Sequence, residues 1–208
     1  LVLITGPTGS GKTLTLYSCL QHLNSSKINI STVEDPCEIV LPGINQINVN
    51  EKSGLGFAQT LRALLRQDPD VVMVGEIRDS ETADIAAKAA QTGHLVLSTL
   101  HTNDAPSALT RLCQLGVADF NVASSVVLIC AQRLVRKLCS HCKSKLPHEN
   151  RYTPVGCANC LNGYKGRVGI HQVLAMTPEL QSMMQSGLDT LSMTHRLQQN
   201  GVLTLREA

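Results

Sequence analysis

Gly6-Pro7-Thr8-Gly9-Ser10-Gly11-Lys12-Thr13 sets glycines, a lysine and a hydroxyl in the spacing G-x-x-x-x-G-K-[ST]. Glycine lets successive backbone N–H groups turn inward around phosphate oxygens. Lys12 then supplies a point charge to the β- and γ-phosphates, and the Thr13 hydroxyl completes a Mg²⁺ shell. A helix starting at Lys12 aims its positive end at the same anion. Chance produces such a turn in on the order of 1 in 100 chains of this length. The apolar run Leu1-Val2-Leu3-Ile4 just before it lowers those odds further. Residues 6–13 read as a phosphate-binding loop.

Hydrolysis also needs a group that orients or deprotonates water. Val71-Val72-Met73-Val74-Gly75-Glu76 delivers a carboxylate at the end of an apolar strand, where ligands of open parallel sheets sit. Glu76 is therefore read as catalytic base or water-positioning residue. The general pattern of such proteins has Asp just before that Glu, and this chain has Gly75. Mg²⁺ would then rest on Thr13, water and a second acidic segment. Glu34-Asp35-Pro36-Cys37-Glu38 ends another apolar strand with three carboxylates in five residues. Both Glu34 and Glu38 are candidates there, and the residues leave the choice open. His101 is expected at the C-terminal end of a strand, in reach of the nucleotide. His94 lies at the opposite end, facing a neighbouring subunit or inter-domain surface. Arg62, Arg66 and Arg78 are local cationic candidates.

Cys139-Ser140-His141-Cys142 and Cys157-Ala158-Asn159-Cys160 form two C-x-x-C pairs separated by fourteen residues. Each pair can place two thiolates on one tetrahedral ion, and the loop between lets the second pair fold back. This is close to zinc-ribbon spacing, and a closed Cys₄ Zn²⁺ site is structural, not catalytic. A redox C-x-x-C would need a thioredoxin-like context that this chain lacks. Cys19, Cys37, Cys113 and Cys130 sit among apolar neighbours and read as small buried hydrophobes.

The elements that position these residues alternate between apolar strands and helical segments, the pattern of a parallel sheet covered by helices. Strands are expected at 1–5, 28–33, 71–74 and 94–99, with a weaker edge strand at 43–49 and a return strand at 167–176. Helices are expected at 12–23, 58–66 and 80–91, and from Asp104 with Pro106 in its first turn. Another is expected from Asp119 to about Leu138, and two short ones within 177–208. The composition changes at Cys139, so the chain divides into a core (1–138), a four-cysteine module (139–166) and a C-terminal strand with helices (167–208).

With 208 residues the chain is long enough to bury a real core. Its net charge of +2, three Tyr, two Phe and no Trp disfavour a single-strand nucleic-acid groove, which combines a basic track with stacking platforms. No apolar run approaches the roughly 20 residues of a membrane span, and no signal pattern opens the chain. A cytoplasmic location follows, compatible with docking on a membrane complex. Leu1 is not an initiator residue, and the chain opens inside a strand. It is expected to be part of a longer protein.

The order of the phosphate loop, Val33-Glu34-Asp35-Pro36-x-Glu38, Leu65-Arg66-Gln67-Asp68-Pro69-Asp70, Gly75-Glu76-Ile77-Arg78-Asp79, Gly93-His94 and Thr99-Leu100-His101-Thr102-Asn103 resembles the ATPases of type II secretion and type IV pilus assembly. The match runs from Leu1 to about Met176 and includes a Gly before the catalytic Glu. The resemblance implies an α/β fold with a RecA-like P-loop core, ATP as substrate, Mg²⁺, and a homohexameric motor peripheral to the inner membrane. It implies action on an inner-membrane platform protein that assembles pilin or pseudopilin. By position it matches Glu76 to the Walker B glutamate, Glu34–Glu38 to an aspartate box and His94–His101 to a histidine box. Assembly-type members also carry a tetracysteine module. The family's N-terminal half supplies arginine contacts that this chain does not include, so the chain alone is expected to hydrolyse ATP poorly. The rival readings are a non-hydrolysing nucleotide-binding scaffold and a nucleic-acid translocase of related fold.

Overall fold

Short runs such as Val-Val-Met-Val are apolar on both sides, and a strand of that kind must be covered on both faces. The computed structural model, which describes residues 1–187 and 189–208, shows how. Its elements run β1 (Val2–Thr5), α1 (Lys12–Leu23), β2 (Ile30–Glu34), β3 (Asn45–Asn48), α2 (Phe57–Leu65), β4 (Val71–Val74), α3 (Ser80–Gln91) and β5 (Leu95–Leu100). They continue as α4 (Ala105–Gln114), α5 (Asp119–Ser125), β6 (Leu128–Leu138), β7 (Ser144–Lys145), β8 (Tyr152–Thr153), β9 (Tyr164–Ala175), α6 (Pro178–Gln185) and α7 (Thr190–Gln199).

Seven strands form one sheet in the order β3-β2-β4-β5-β1-β6-β9. All pair in parallel except β9, which returns antiparallel along β6. This mostly parallel sheet with flanking helices is consistent with a RecA-like P-loop core. Leu16, Tyr17 and Leu20 of α1 cover one face, packing on Ile4, Ile30, Met73 and Leu97. The other face carries the larger core, with Leu61 of α2, Ala86 of α3, Leu109 of α4 and Val122 of α5 packed together with Leu3, Val72 and Val96. Side-chain caps fix where several helices begin. The Asp79 carboxylate accepts from Thr82 N–H and that of Asp104 from Ser107 N–H, each satisfying an orphan donor of the first turn.

The bounds expected for α1, β4 and α3 match to the residue, and the other early strands and helices shift by one or two. The long helix expected from Asp119 to about Leu138 does not form. α5 stops at Ser125, Val126 is extended (φ −75°, ψ 130°), and β6 follows. The composition of 128–138 suits a helix, but β1 on one side and β9 on the other satisfy its backbone groups as a strand. Ile129 and Ala131 then point into the same core at period two. Tertiary pairing overrode local propensity.

The scattered cysteines are half-buried rather than buried. Cys19 and Cys130 lie at the margin of the α1-side core and Cys113 at the margin of the other. Burial, with the Asp119 carboxylate adding to it, pushes the Cys113 thiol up to about 12. Cys37 lies in a polar turn, where Gln46 Nε2 donates to its sulfur at 3.0 Å.

Leu109 is fully buried between α4 and the sheet. Leu109→Ala should cost about 2–5 kcal/mol by urea unfolding. A loss below about 1 kcal/mol would show that this helix does not pack as described.

Candidate functional site

The sheet order brings the predicted residues together. β5 lies between β1 and β4, so the phosphate loop after β1 and Glu76 after β4 open on one edge with His101 after β5. A cavity of about 500 Å³ there is lined by Thr8, Gly9, Gly11, Lys12, Thr13, Glu34, Glu38, Glu76, Arg78 and His101.

The phosphate loop has the shape its glycines permit. Gly11 is left-handed (φ 88°) and opens α1 without a side-chain cap, leaving first-turn N–H groups for an anion. At Gly6 a Cβ would lie 2.4 Å from the Gln132 carbonyl, so only glycine fits. Lys12 is buried, and its Nζ donates to the carbonyls of Gly6 and Pro7 at 2.9 and 3.1 Å. Burial lowers its pKa; Glu76 opposes that shift and Arg133 adds to it. The Ser10 hydroxyl is buried with no partner among the described residues. A polar loop with an ammonium, free N–H groups and an unpaired hydroxyl suits a polyphosphate.

Glu76 is held from both sides by Thr99. The Thr99 hydroxyl donates to the Gly75 carbonyl at 2.7 Å, and Ile77 N–H donates to the Thr99 carbonyl at 3.1 Å. The Glu76 carboxylate forms an ion pair with Arg78 and lies 3.5 Å from His101 Nε2. Its side chain is 15% exposed, against 52% for His101. Arg78 is thus drawn into the site. Arg62 instead pairs with Glu81 at 2.6 Å on the surface, and Arg66 is exposed. His94 faces away, its Nδ1 3.0 Å from the Ala89 carbonyl at the end of α3.

Glu34 and Glu38 separate clearly. Glu34 is 3% exposed and accepts hydrogen bonds from Tyr17 Oη, Thr32 Oγ1 (2.6 Å) and Gln46 Nε2 (3.1 Å). Tyr17 Oη also accepts from Glu38 N–H at 3.1 Å, so the α1 tyrosine orders the acidic turn. Burial first and then Glu34 raise the Tyr17 pKa, keeping the phenol a donor. The Glu38 side chain is exposed at the cavity edge. Tyr17, Gln132, Leu134 and Arg167 are at the site and escaped the sequence reading. Leu134 and Arg167 line the cavity from β6 and β9. Only recognition of β6 as a strand beside β1 could have indicated them.

The four paired cysteines converge. Their sulfurs all lie within 4.8 Å of one another. Cys139–Cys157, Cys142–Cys160 and Cys157–Cys160 are 4.0, 3.6 and 3.7 Å apart. Four sulfurs on a tetrahedron with metal–sulfur bonds of about 2.3 Å would be about 3.8 Å apart. The cluster fits one tetrahedral metal ion. N–H groups of Gly156 and Cys157 donate to the sulfurs of Cys142 and Cys160, both at 3.3 Å, as thiolates favour.

A family model described as "Type II/IV secretion system protein" matches residues 1–208. The chain is 56% identical to the type IV pilus assembly ATPase PilB of Pseudomonas aeruginosa, over 99% of this chain and 39% of that protein. It is 51% identical to the type II secretion system protein HxcR of the same organism, over 100% of this chain and 44% of the relative. It therefore spans less than half the length of these curated relatives. Among solved structures, the pilus retraction motor PilT with bound ADP superposes with a TM-score of 0.75 at 33% identity, covering 99% of this chain and 55% of that one.

The geometry explains why Gly75 stands where an acid is common. A Cβ there would lie 3.3 Å from the Val33 carbonyl and 3.5 Å from Glu34 Cα. Gly75→Asp should lower stability by about 1–3 kcal/mol in denaturant titration, with Gly75→Ala losing less. An aspartate variant as stable as the parent would refute this spatial account.

Proposed function

The chain belongs to the type II/IV secretion system protein family, and from that premise we propose that it is the catalytic part of an ATP-hydrolysing hexameric motor that powers type IV pilus assembly or type II protein secretion. One observation carries the reading: a phosphate loop and a clamped carboxylate, Glu76, open on the same cavity. The motor would work as a homohexamer in the cytoplasm, peripheral to the inner membrane, against a membrane platform protein. Among the described residues no helix is long and apolar enough to cross a membrane. Residues 1–138 form the ATPase core in this reading, 139–166 the zinc module and 167–208 the C-terminal strand and helices.

The loop N–H groups and Lys12 bind and orient the phosphates of ATP. Mg²⁺, when bound, neutralises phosphate charge, with Thr13 and Glu38 as the residues that would hold it directly or through water. Glu76 orients the attacking water and accepts its proton. Thr99 keeps Glu76 in place, while Arg78 and His101 present positive or polarisable groups beside it. Glu34 acts indirectly, fixing the turn that carries Glu38. Zn²⁺ on Cys139, Cys142, Cys157 and Cys160 would close the module without taking part in the reaction.

In the full-length protein, Lys12→Ala should weaken ATP binding by about 10–100-fold. Glu76→Gln should retain ATP and lose about 10²–10⁴ in kcat. Normal turnover by the glutamine variant would sink the base assignment. Elemental analysis should find one zinc per chain, lost together with the module's thermal stability in Cys157→Ser. Protein free of zinc and stable without it would remove the metal from the proposal.

A further inference from the structure

Gln132 is a polar side chain only 4% exposed, in a strand whose neighbours are mostly apolar. It lies one residue beyond the last β1–β6 pair, Thr5 with Ala131, and so stands level with the start of the phosphate loop. Its Nε2 donates to the Ser10 carbonyl at 2.7 Å, and its Oε1 accepts from the Thr15 hydroxyl at 2.8 Å. Its own carbonyl lies beneath Gly6, and its Nε2 would be 3.0 Å from any Cβ at Gly11. One residue of β6 thus touches the loop at its first glycine, at its last glycine and in the first turn of α1.

The consequence lies in the peptide joining Ser10 to Gly11. In a trans peptide the C=O and N–H point in opposite directions. Holding the Ser10 carbonyl on Gln132 turns the Gly11 N–H the other way, and Gly11 lines the cavity. A free glycine-rich loop has no such preference, because glycine accepts either orientation of its peptides at little steric cost. The Thr15 bond fixes the plane of the amide, so that Nε2 rather than Oε1 meets the carbonyl.

We propose that Gln132 is a positioning residue for nucleotide binding: it locks the Ser10–Gly11 peptide so that the loop N–H groups converge on phosphate before the ligand arrives. The role rests on the nucleotide-binding reading above. It also places the loop under the control of β6, the strand that runs on to Leu138 and the first of the four clustered cysteines.

The test uses full-length protein titrated with a fluorescent ADP analogue, together with steady-state ATPase kinetics and melting curves with and without ADP. Gln132→Met keeps the side chain's length and removes both bonds, and Thr15→Val removes only one. Binding should weaken about 10–100-fold in the first and about three- to tenfold in the second, at the usual worth of two buried hydrogen bonds or one. KM for ATP should rise with the affinity loss, and kcat at saturating ATP should change less. The rise in melting temperature produced by ADP should shrink, while the melting temperature without ADP stays within a few degrees of the parent. Gln132→Glu retains the acceptor for Thr15 but loses the donor, and should bind ADP as poorly as Gln132→Met or worse. Affinities within twofold of the parent in both Gln132→Met and Thr15→Val would overturn the proposal. So would a fall in ligand-free melting temperature with an unchanged ADP increment, which marks a merely structural residue. If Gln132→Met fails to fold, Thr15→Val decides by the same criteria. A parent protein that binds no ADP would instead refute the nucleotide-binding reading itself.

Discussion

Parallel pairing of β5 with both β1 and β4 sets the distances in the site. β5 is buried between them, and its hydroxyls add side-chain bonds to the backbone ladder. Ser98 donates to the Val74 carbonyl and Thr99 to the Gly75 carbonyl, each at 2.7 Å. On the other side, Thr102 N–H donates to the Thr5 hydroxyl at 2.9 Å, tying the turn after β5 to the residue before the loop. Each such bond contributes about 0.5–1.5 kcal/mol. Their greater value is geometric, because three strand ends that carry chemistry cannot slide past one another.

Charge in the site is arranged around that frame. Lys12 is buried enough for desolvation to outweigh the attraction of Glu76 and lower its pKa, and an arriving polyphosphate would oppose that shift. Arg78 holds Glu76 from outside, while Tyr17 ties α1 to the acidic turn through Glu34. The helix that begins at the phosphate loop therefore also orders the neighbouring carboxylates. Gly75 completes the arrangement by leaving room for β2 to come close.

Much of this was legible in the sequence where chemistry and local structure coincide. The loop, the apolar strand before Glu76, the Asp104 cap and the paired cysteines each combine a residue type with a spacing that few other arrangements satisfy. What stayed hidden depended on contacts far apart in the chain. Residues 128–138 have a helix-compatible composition and become a strand only because β1 and β9 lie alongside. With β6 misread, Gln132 and Leu134 had no reason to stand near the loop. Glu34 and Glu38 looked equivalent as letters. Their difference is burial, created by Tyr17, Thr32 and Gln46.

The same long-range wiring has a consequence for how the molecule is made. The Thr5–Leu100 contact joins residues 95 apart, and the Gln132 bond to Ser10 joins residues 122 apart. A ribosome adding 5–20 residues per second needs roughly 6–24 s to cover the second interval. For most of that delay, until β5 is made, the apolar segment before the loop has neither of its sheet partners, and it waits for β6 to the end. The loop's residues leave the ribosome long before the strand that gives them their shape.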